Sequence, residues 1–229
     1  GGFNASTDAL LEIAAVLLTF DDAGKLHRDE TIRYHVKPFE GANMDPASLA
    51  VNGIDPNHPL RPAIDERDAL QRVFREVRRA IREANCTRAI LVGHNSAFDL
   101  GFLNEAIERA AIKRNPFHPF SCFDTATLCC VAFGQTVLAR AVIASGLQWD
   151  ESRAHSAAYD AEMTADLFCE IVNRFRDFLP AMAHASYGGT AAGIQIAVSA
   201  CVLEPDALAS LSLDQSFHGV IPFATKTLV

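Results

Sequence analysis

Two short polar strings in this chain combine carboxylates with an imidazole at the ends of apolar runs. The first string, His94–Asp99, reads HNSAFD and follows the apolar run 89–93. The second, His155–Asp160, reads HSAAYD and begins a long amphipathic stretch. Two carboxylates and a titratable imidazole at helix entrances suit two-metal phosphoryl chemistry, in which cations hold the reacting oxygens and a base takes a proton from water.

The first string also has a simpler interpretation. Ser96-x-x-Asp99 matches a capping box, in which Asp99 only satisfies a backbone amide at the start of a helix. The pair His94-Asn95, directly after a buried strand, favours a functional role instead.

Asp160 is expected to point inward, because it shares a helical stripe with Thr164, Leu167, Ile171 and Phe175. A buried, unpaired carboxylate costs several kcal/mol, and a divalent cation is a natural partner for it. His155 stands just before this helix, where an imidazole can take a proton from water near neutral pH. The alternative for His155 is a capping or solvent-exposed residue.

Composition excludes several classes of protein. The chain has 229 residues, 49% of them hydrophobic, so it can bury the core of one domain with or without an appendage. No apolar run reaches the ~18 residues of a membrane span, and no leader pattern marks the N-terminus. The six cysteines lack a C-x-x-C pair, which argues against a zinc site and predicts reduced thiols in the cytoplasm.

The net charge of −8 argues against indiscriminate polyanion binding. Basic residues nevertheless cluster locally, and these clusters are what a polyanion would meet. They comprise Arg72, Arg75, Arg78, Arg79, Arg82 and Arg88, together with the pair Lys113-Arg114.

Apolar patterning predicts strands alternating with helices, hence an α/β fold with a mixed sheet whose site lies where strands end. The first two strands, at 10–20 and 32–36, should pair across the turn 21–24. Helices are predicted at about 65–84, 98–111, 124–133, 136–145 and 156–178, with strands at 89–93 and 120–123. From Pro180 the composition shifts to Ala, Ser and Gly, so we expect a domain at 1–179 and an extension of unknown order at 180–229, with one strand-like stretch at 193–203.

The strings HNSAFD and HSAAYD resemble the second and third motifs of the DEDDh 3′-to-5′ exonucleases, a branch of the ribonuclease H-like fold. GGFN at the N-terminus resembles the end of the first motif, D-x-E-T-G-G. Longer strings are similar to the ribonuclease T family in particular: TDALLEIA, NGIDPN, KRNPFHPF, GQTVL and LFCEIVNR. The resemblance extends from Gly1 to about Phe178.

The resemblance implies that Asp99 and Asp160 bind two Mg²⁺ ions, which Mn²⁺ can replace, and that His155 deprotonates the attacking water. It implies base stacking on Phe3, Phe98 and Phe120, and nucleic-acid contacts from Asn95, Lys113 and Arg114. It further implies a cytoplasmic homodimer without membrane association, in which the basic residues of one subunit hold nucleic acid for the other. The implied substrates are the 3′ ends of tRNA and rRNA precursors, and single-stranded DNA.

Two departures from the family pattern affect this expectation. The strand that carries Asp-x-Glu would precede Gly1, so two of the four metal-binding carboxylates are outside this sequence, the first strand of the sheet is missing, and reduced activity is expected. Asp8, Glu12 and the Glu204-Pro205-Asp206 string are poor substitutes. Val51 stands where the family can carry Phe. The alternatives are a proofreading-type DNA exonuclease and a non-catalytic nucleic-acid-binding relative.

Overall fold

A computed structural model of the protein describes residues 1–186 and 220–228. Five strands and six helices follow one another in these two ranges. In chain order they are β1 (Glu12–Phe20), β2 (Leu26–His35), α1 (Pro46–Asn52), α2 (Glu66–Glu83), β3 (Arg88–Gly93), α3 (Ser96–Arg109), β4 (Phe117–Asp124), α4 (Thr125–Phe133), α5 (Leu138–Ser145), α6 (Ala157–Ser186) and β5 (Val220–Leu228).

The strands form one mixed sheet in the order β2-β1-β5-β3-β4. β1 and β2 are antiparallel, as the alternating pattern predicts, and β3 and β4 are parallel. The turn between β1 and β2 includes Gly24, whose positive φ of 71° suits glycine. Because β3 and β4 run in the same direction, the residues after Gly93 and at Asp124 lie at one edge of the sheet.

The expected absence of the family's first strand does not leave the sheet open, because a strand at the C-terminal end of the described residues completes it. β5 occupies the position between β1 and β3, antiparallel to the former and parallel to the latter. The physical reason is that β1 and β3 are buried strands whose backbone groups need hydrogen-bond partners on both sides. The strand-like stretch 193–203 lies outside the described residues.

Helices cover both faces of this sheet. The buried side of α2 carries the predicted stripe that includes Leu70, Phe74 and Val77, and together with α3 it packs on one face. On the other face α6 packs Phe168 and Val172 against β1 and β3. The two buried clusters thus hold α3 and α6 on opposite sides of the strand ends that carry the polar strings.

Two features of the helices differ from the sequence-based expectation. α1 was not predicted; its N-cap Asp45 accepts hydrogen bonds from the amides of Ala47 and Ser48, and Pro46 opens the helix. α6 continues through Pro180 to Ser186, so the expected boundary at 179/180 falls inside a helix.

Among the described residues no single helix is long and apolar enough to cross a membrane, although the bent pair α4 and α5 meets the criterion when taken together.

Candidate functional site

Asp99 is held in the first turn of α3 by a tight turn that follows β3. Asn95 takes a left-handed conformation with a φ of 63°, and α3 begins at Ser96. A β-carbon at Gly93 would lie 3.1 Å from Asp99 Oδ2 and 2.9 Å from Ser96 Cα, so strand and helix approach closely here. Asp99 is only 1% exposed. The capping-box alternative required Ser96 as the N-cap. The N-cap is instead Asn95, whose side chain makes no capping hydrogen bond, so that part of the alternative is wrong.

His94 belongs to the interior rather than to the solvent side of the first string. Its Nδ1 lies 2.9 Å from Thr125 Oγ1, and its Nε2 lies 2.8 Å from the carbonyl oxygen of Thr136. The ring is buried. His94 therefore ties the end of β3 to α4 and to the segment before α5, and its role is to position the loop that carries Asn95.

Asp124 joins the same edge, and sequence reasoning did not select it. Its Oδ1 accepts hydrogen bonds from the amides of Asn95 at 2.8 Å and Ser96 at 3.4 Å. Burial alone would raise the pKa of Asp124, but the hydrogen bonds from Thr127, Asn95, Ala126 and Ser96 outweigh it and hold the pKa below the ordinary value. An acidic residue directly between a predicted strand and a predicted helix was the available signal.

Asp160 lies in the first turn of α6 and is 7% exposed. Thr164, Leu167 and Ile171 of the expected inward stripe are buried as well, whereas Phe175 at its far end is 47% exposed, so the stripe does not extend that far. Its Oδ1 accepts a hydrogen bond from the backbone amide of His155 at 3.3 Å. His155 itself is exposed and has a positive φ of 65°, which is uncommon for a residue with a side chain. The chain thus turns sharply at His155 and brings its backbone to the carboxylate of Asp160, while its imidazole is accessible to solvent.

Glu12 is a further buried carboxylate near the start of α6. Its Oε2 accepts a hydrogen bond from the amide of Ala157 at 3.2 Å, and its Oε1 lies 3.4 Å from Arg33 Nε. His35 Nδ1 is 3.7 Å from the same Oε1. Burial lowers the pKa of His35, and although Glu12 opposes that shift the net direction is downward. A charged residue inside the run LLEIAAVLL was the signal for this position.

The carboxylates have the right chemistry for a hard divalent cation but are few in number. Asp99 and Asp160 offer the oxygen ligands that Mg²⁺ prefers. In residues 1–186 and 220–228, however, no group of three or more His, Cys, Asp and Glu side chains comes together in a way that could hold a metal ion. The side chains present therefore fit the type of ligand that the family resemblance implies and fall short of the number that two ions need.

Two of the three predicted stacking residues, Phe3 and Phe98, contact each other at the start of α3. The rings of Phe3 and Phe98 lie 6.1 Å apart in an edge-to-face arrangement, and Phe3 is 82% exposed. Phe120 on β4 is 78% exposed, but its described ring partner is His118 at 4.6 Å. The structure therefore brings Phe3 together with Phe98, the residue before Asp99 in α3, and gives Phe120 a different neighbour. Val51 on α1 is exposed.

Lys113 and Arg114 lie at the other end of α3 from Asp99. From Asp99 to Arg109, the last residue of the helix, the chain rises by ten residues, which corresponds to about 15 Å along the helix axis. Here they line a groove of about 730 Å³ along α2, and Arg78 Nη2 donates a hydrogen bond to the carbonyl oxygen of Arg114. Six basic residues line the groove: Arg67, Arg72, Arg75, Arg78, Lys113 and Arg114. The structure thus separates the basic residues from the carboxylate edge of their own chain.

Known proteins that are similar to this chain are exonucleases and ribonucleases. The family described as "Exonuclease" matches residues 2–168. Ribonuclease T of Cronobacter sakazakii is 60% identical over 175 residues, which make up 76% of this chain and 78% of that protein. Ribonuclease T of Citrobacter koseri is 57% identical over 76% of this chain and 81% of its own length.

A solved structure shares the fold. E. coli exonuclease I, in complex with a dT13 oligonucleotide, superposes with a TM-score of 0.55 at 17% sequence identity. The match covers 79% of this chain and 40% of that chain. At this identity the likeness concerns the fold, an exonuclease-type mixed sheet with helices on both faces.

Proposed function

This chain belongs to the exonuclease family, among its ribonuclease T members, and we propose that it acts on the 3′ ends of single-stranded nucleic acid in the 3′-to-5′ direction. The observation that carries the proposal is the pair of buried carboxylates, Asp99 and Asp160, each in the first turn of a helix that packs on the sheet. The reaction is hydrolysis of the terminal phosphodiester bond. The relatives are ribonucleases, so RNA is the first substrate to test.

Mg²⁺ is the proposed cofactor, as two ions that Mn²⁺ can replace, and Asp99 and Asp160 are the residues that would hold it. When bound, the metal supplies charge that stabilises the attacking and leaving oxygens. Mg²⁺ commonly uses one or two protein carboxylates and completes its shell with water and substrate phosphates, which is compatible with a small set of protein ligands.

The remaining roles, the base and the contact to the terminal nucleotide, are assigned to side chains of this protein. His155 is the proposed base, because its exposed imidazole stands beside the helix turn that carries Asp160 and can take a proton from water. Its left-handed backbone conformation directs the amide to Asp160 and holds the two residues in a defined relation. Asn95, exposed in the turn before α3, is the proposed polar contact to the terminal nucleotide.

Stacking is the proposed means of recognising a single-stranded end. Phe3 offers an exposed ring surface against Phe98, the residue before Asp99, and Phe120 offers another exposed ring on β4. A base stacked on an aromatic ring gains ~1–3 kcal/mol with little sequence preference, whereas a paired base must first leave its helix. This suits trimming of tRNA and other structured RNAs at short unpaired 3′ ends, and it also admits single-stranded DNA.

A homodimer in the cytoplasm is the proposed working form. The basic groove lies beyond the C-terminal end of α3, which is about 15 Å from Asp99 along the helix axis, so Lys113 and Arg114 are better placed to hold the body of a substrate than its last nucleotide. In a dimer the groove of one copy can serve the site of the other. The cysteines of the described region are free thiols, which supports a reducing compartment.

The test uses 5′-labelled oligonucleotides with Mg²⁺ or Mn²⁺. We expect shortening of a single-stranded RNA one nucleotide at a time from the 3′ end, and no shortening of the same RNA with a 3′-phosphorothioate cap or in the presence of EDTA. Asp99→Asn and Asp160→Asn should abolish the reaction, while Glu108→Gln, an exposed position on the same helix as Asp99, should leave it unchanged. Internal cleavage products, or equal activity of Asp99→Asn, would overturn the proposal.

A second candidate is a nucleic-acid-binding protein without catalysis. It is favoured by the observation that the described residues bring together no group of three metal-binding side chains. Binding of a 3′-overhanging oligonucleotide with no shortening in either metal, by freshly purified and fully folded protein, would support this candidate over the first.

A further inference from the structure

The strand β4 contains a bulge opposite β3. Ala89 pairs with Phe117, and Leu91 pairs with Cys122. One residue of β3 therefore lies opposite the four residues 118–121 of β4, a segment that we call the β4 bulge. Extra residues in one strand leave the hydrogen-bond ladder and re-aim the side chains that they carry.

The β4 bulge carries one of the proposed stacking residues and ends beside α3. Phe120 lies in the bulge and is 78% exposed. Cys122, the residue after the bulge, accepts a hydrogen bond of 3.2 Å at its Sγ from Oγ of Ser96, the first residue of α3. Asp99 lies in the first turn of the same helix. The conformation of the bulge thus determines where Phe120 lies relative to the start of α3.

The imidazole of His118 closes the bulge. Its Nδ1 accepts a hydrogen bond of 2.9 Å from the amide of Ser121, and the amide of Phe120 approaches the same nitrogen to 3.5 Å. Amides that have left a ladder need another acceptor, and an unprotonated imidazole nitrogen provides one. The rings of His118 and Phe120 also meet edge to face, with centroids 4.6 Å apart. One side chain therefore contacts both the backbone of the bulge and the ring that it carries.

The same local contact occurs at a second place in the chain. The string His58-Pro59-Leu60 repeats the His-Pro pair of the bulge, and Nδ1 of His58 accepts a hydrogen bond of 3.2 Å from the amide of Leu60. This string is exposed and lies between α1 and α2. A side chain that accepts from an amide two residues ahead is a local turn device, so the contact alone does not indicate function. The strand bulge and the aromatic ring distinguish His118 from His58.

We propose that His118 is a positioning residue, whose Nδ1 holds the β4 bulge in the conformation that presents the Phe120 ring to the terminal base of a substrate. The inference rests on the proposed function for the stacking role of Phe120. A ring that is fixed before binding loses less conformational entropy when a base stacks on it, so the affinity increases. A fixed ring also favours the bases that stack best in that one geometry, so His118 contributes to terminal-base preference.

The first experiment separates the acceptor atom of His118 from its ring. His118→Asn keeps an acceptor, because Oδ1 of asparagine takes the place of Nδ1, whereas His118→Phe keeps a ring without an acceptor. Fluorescence anisotropy in EDTA, with a labelled single-stranded 3′ end, should show binding about 2- to 10-fold weaker for His118→Phe, with less discrimination among the four terminal bases. His118→Asn should stay within about twofold of the unchanged chain. An equal or larger loss in His118→Asn would overturn the inference.

His58→Phe is the matched control, because it removes the same kind of contact from a loop. Both phenylalanine variants should lower the unfolding midpoint alike, by about 6 °C at most, since each loses one hydrogen bond. Only His118→Phe should weaken binding. Equal weakening by the two variants would mean a general effect of stability and would overturn the inference.

The second experiment combines His118→Phe with Phe120→Ala. If His118 acts through the Phe120 ring, the double variant should bind like Phe120→Ala alone, about 5- to 150-fold more weakly than the unchanged chain. Fully additive losses would overturn the inference. The same conclusion would follow if Phe120→Ala weakened binding and His118→Phe did not, and the proposed stacking on Phe120 would then still stand.

The third experiment tests the bulge without nucleic acid. Amide exchange followed by NMR should be at least about fivefold faster for Ser121 in His118→Phe than in the unchanged chain, and His118→Asn should restore slow exchange. Unchanged exchange of this amide in His118→Phe would overturn the inference. Faster exchange together with unchanged binding by Phe120→Ala would support the contact of His118 with the bulge and count against stacking on Phe120 in the proposed function.

Discussion

The backbone amide of Asn95 donates a hydrogen bond of 2.8 Å to Oδ1 of Asp124. This contact joins the turn after β3 to the end of β4, two places separated by the whole of α3. The same carboxylate caps α4 through the amide of Ala126. One acidic side chain therefore holds the loop that carries the first polar string and starts the helix packed beside it.

Removal of the Asp124 carboxylate should destabilise the protein. We expect Asp124→Ala to lower the free energy of unfolding by about 1–2 kcal/mol at pH 7, because an N-cap and the amide contacts to the turn are lost together. Urea denaturation measures the change. Asp29→Ala, at an exposed position on β2, should stay within about 0.5 kcal/mol of the unchanged chain.

The effect of Asp124 should also depend on pH. Its pKa is lower in the folded chain than the ordinary value of 3.8, so the unfolded chain binds the proton more readily. The stabilisation is fully present above the unfolded pKa and is lost as the pH falls through the folded one. The free energy of unfolding of Asp124→Ala should therefore approach that of the unchanged chain below about pH 4. A constant difference from pH 7 to about pH 2.5, below the ordinary carboxyl pKa, would contradict this assignment.

The exposed ring of Phe3 should matter for binding and not for folding. Phe3→Ala is expected to weaken binding of a single-stranded 3′ end by ~1–3 kcal/mol with an unchanged unfolding midpoint. Leu60→Ala, at a loop position of similar exposure, is the control and should change neither. Fluorescence anisotropy with a labelled oligonucleotide measures the affinity.

Phe120→Ala tests the third ring separately, because its described ring contact is with His118 and not with the pair Phe3 and Phe98. We expect a loss of ~1–3 kcal/mol in binding and a change in terminal-base preference, with little effect on salt dependence. Unchanged affinity and unchanged preference would remove Phe120 from the proposed stacking surface.

The contribution of Lys113 and Arg114 to nucleic-acid binding should decrease as the salt concentration rises. Lys113→Ala with Arg114→Ala should weaken binding of all sequences alike and reduce the slope of log affinity against log salt by about two units at most. Lys25→Ala with Arg140→Ala removes the same charge from other exposed positions and should leave the slope nearly unchanged. Equal slopes for the two double variants would show that only net charge matters.

The reactivity of each cysteine thiol should be lower the more deeply the thiol is buried. Burial, with a smaller effect from Asp166, raises the pKa of the Cys169 thiol to about 12, and burial with Asp124 raises that of Cys129 to about 11. The thiolate is the reactive form, so both should react with iodoacetamide at about pH 8 at least about 100-fold more slowly than exposed Cys130. Peptide mapping by mass spectrometry identifies each site, and fast labelling of Cys169 in folded protein would contradict its buried position.

Local patterns in the sequence determined most elements and the candidate site residues. Apolar alternation and helical stripes depend on neighbours a few residues away, so β1, α2, β3 and α6 were predictable to within a few residues at most of their ends. The stripe along α6 predicted that Asp160 faces inward, and the two polar strings singled out Asp99 and His155 as candidates. α1 was missed because its start depends on a capping carboxylate, Asp45, and not on an apolar stripe.

Contacts between distant parts of the chain were decided by the tertiary structure. The hydrogen bonds from Asn95 to Asp124 and from Ala157 to Glu12 join residues whose separation along the chain leaves no periodic signal. The position of β5 is the clearest case, since a strand at the end of the sequence pairs with β1 and β3 from its first part. Such pairing depends on which backbone edges remain open after the rest of the sheet has formed, and that is a property of the folded chain as a whole.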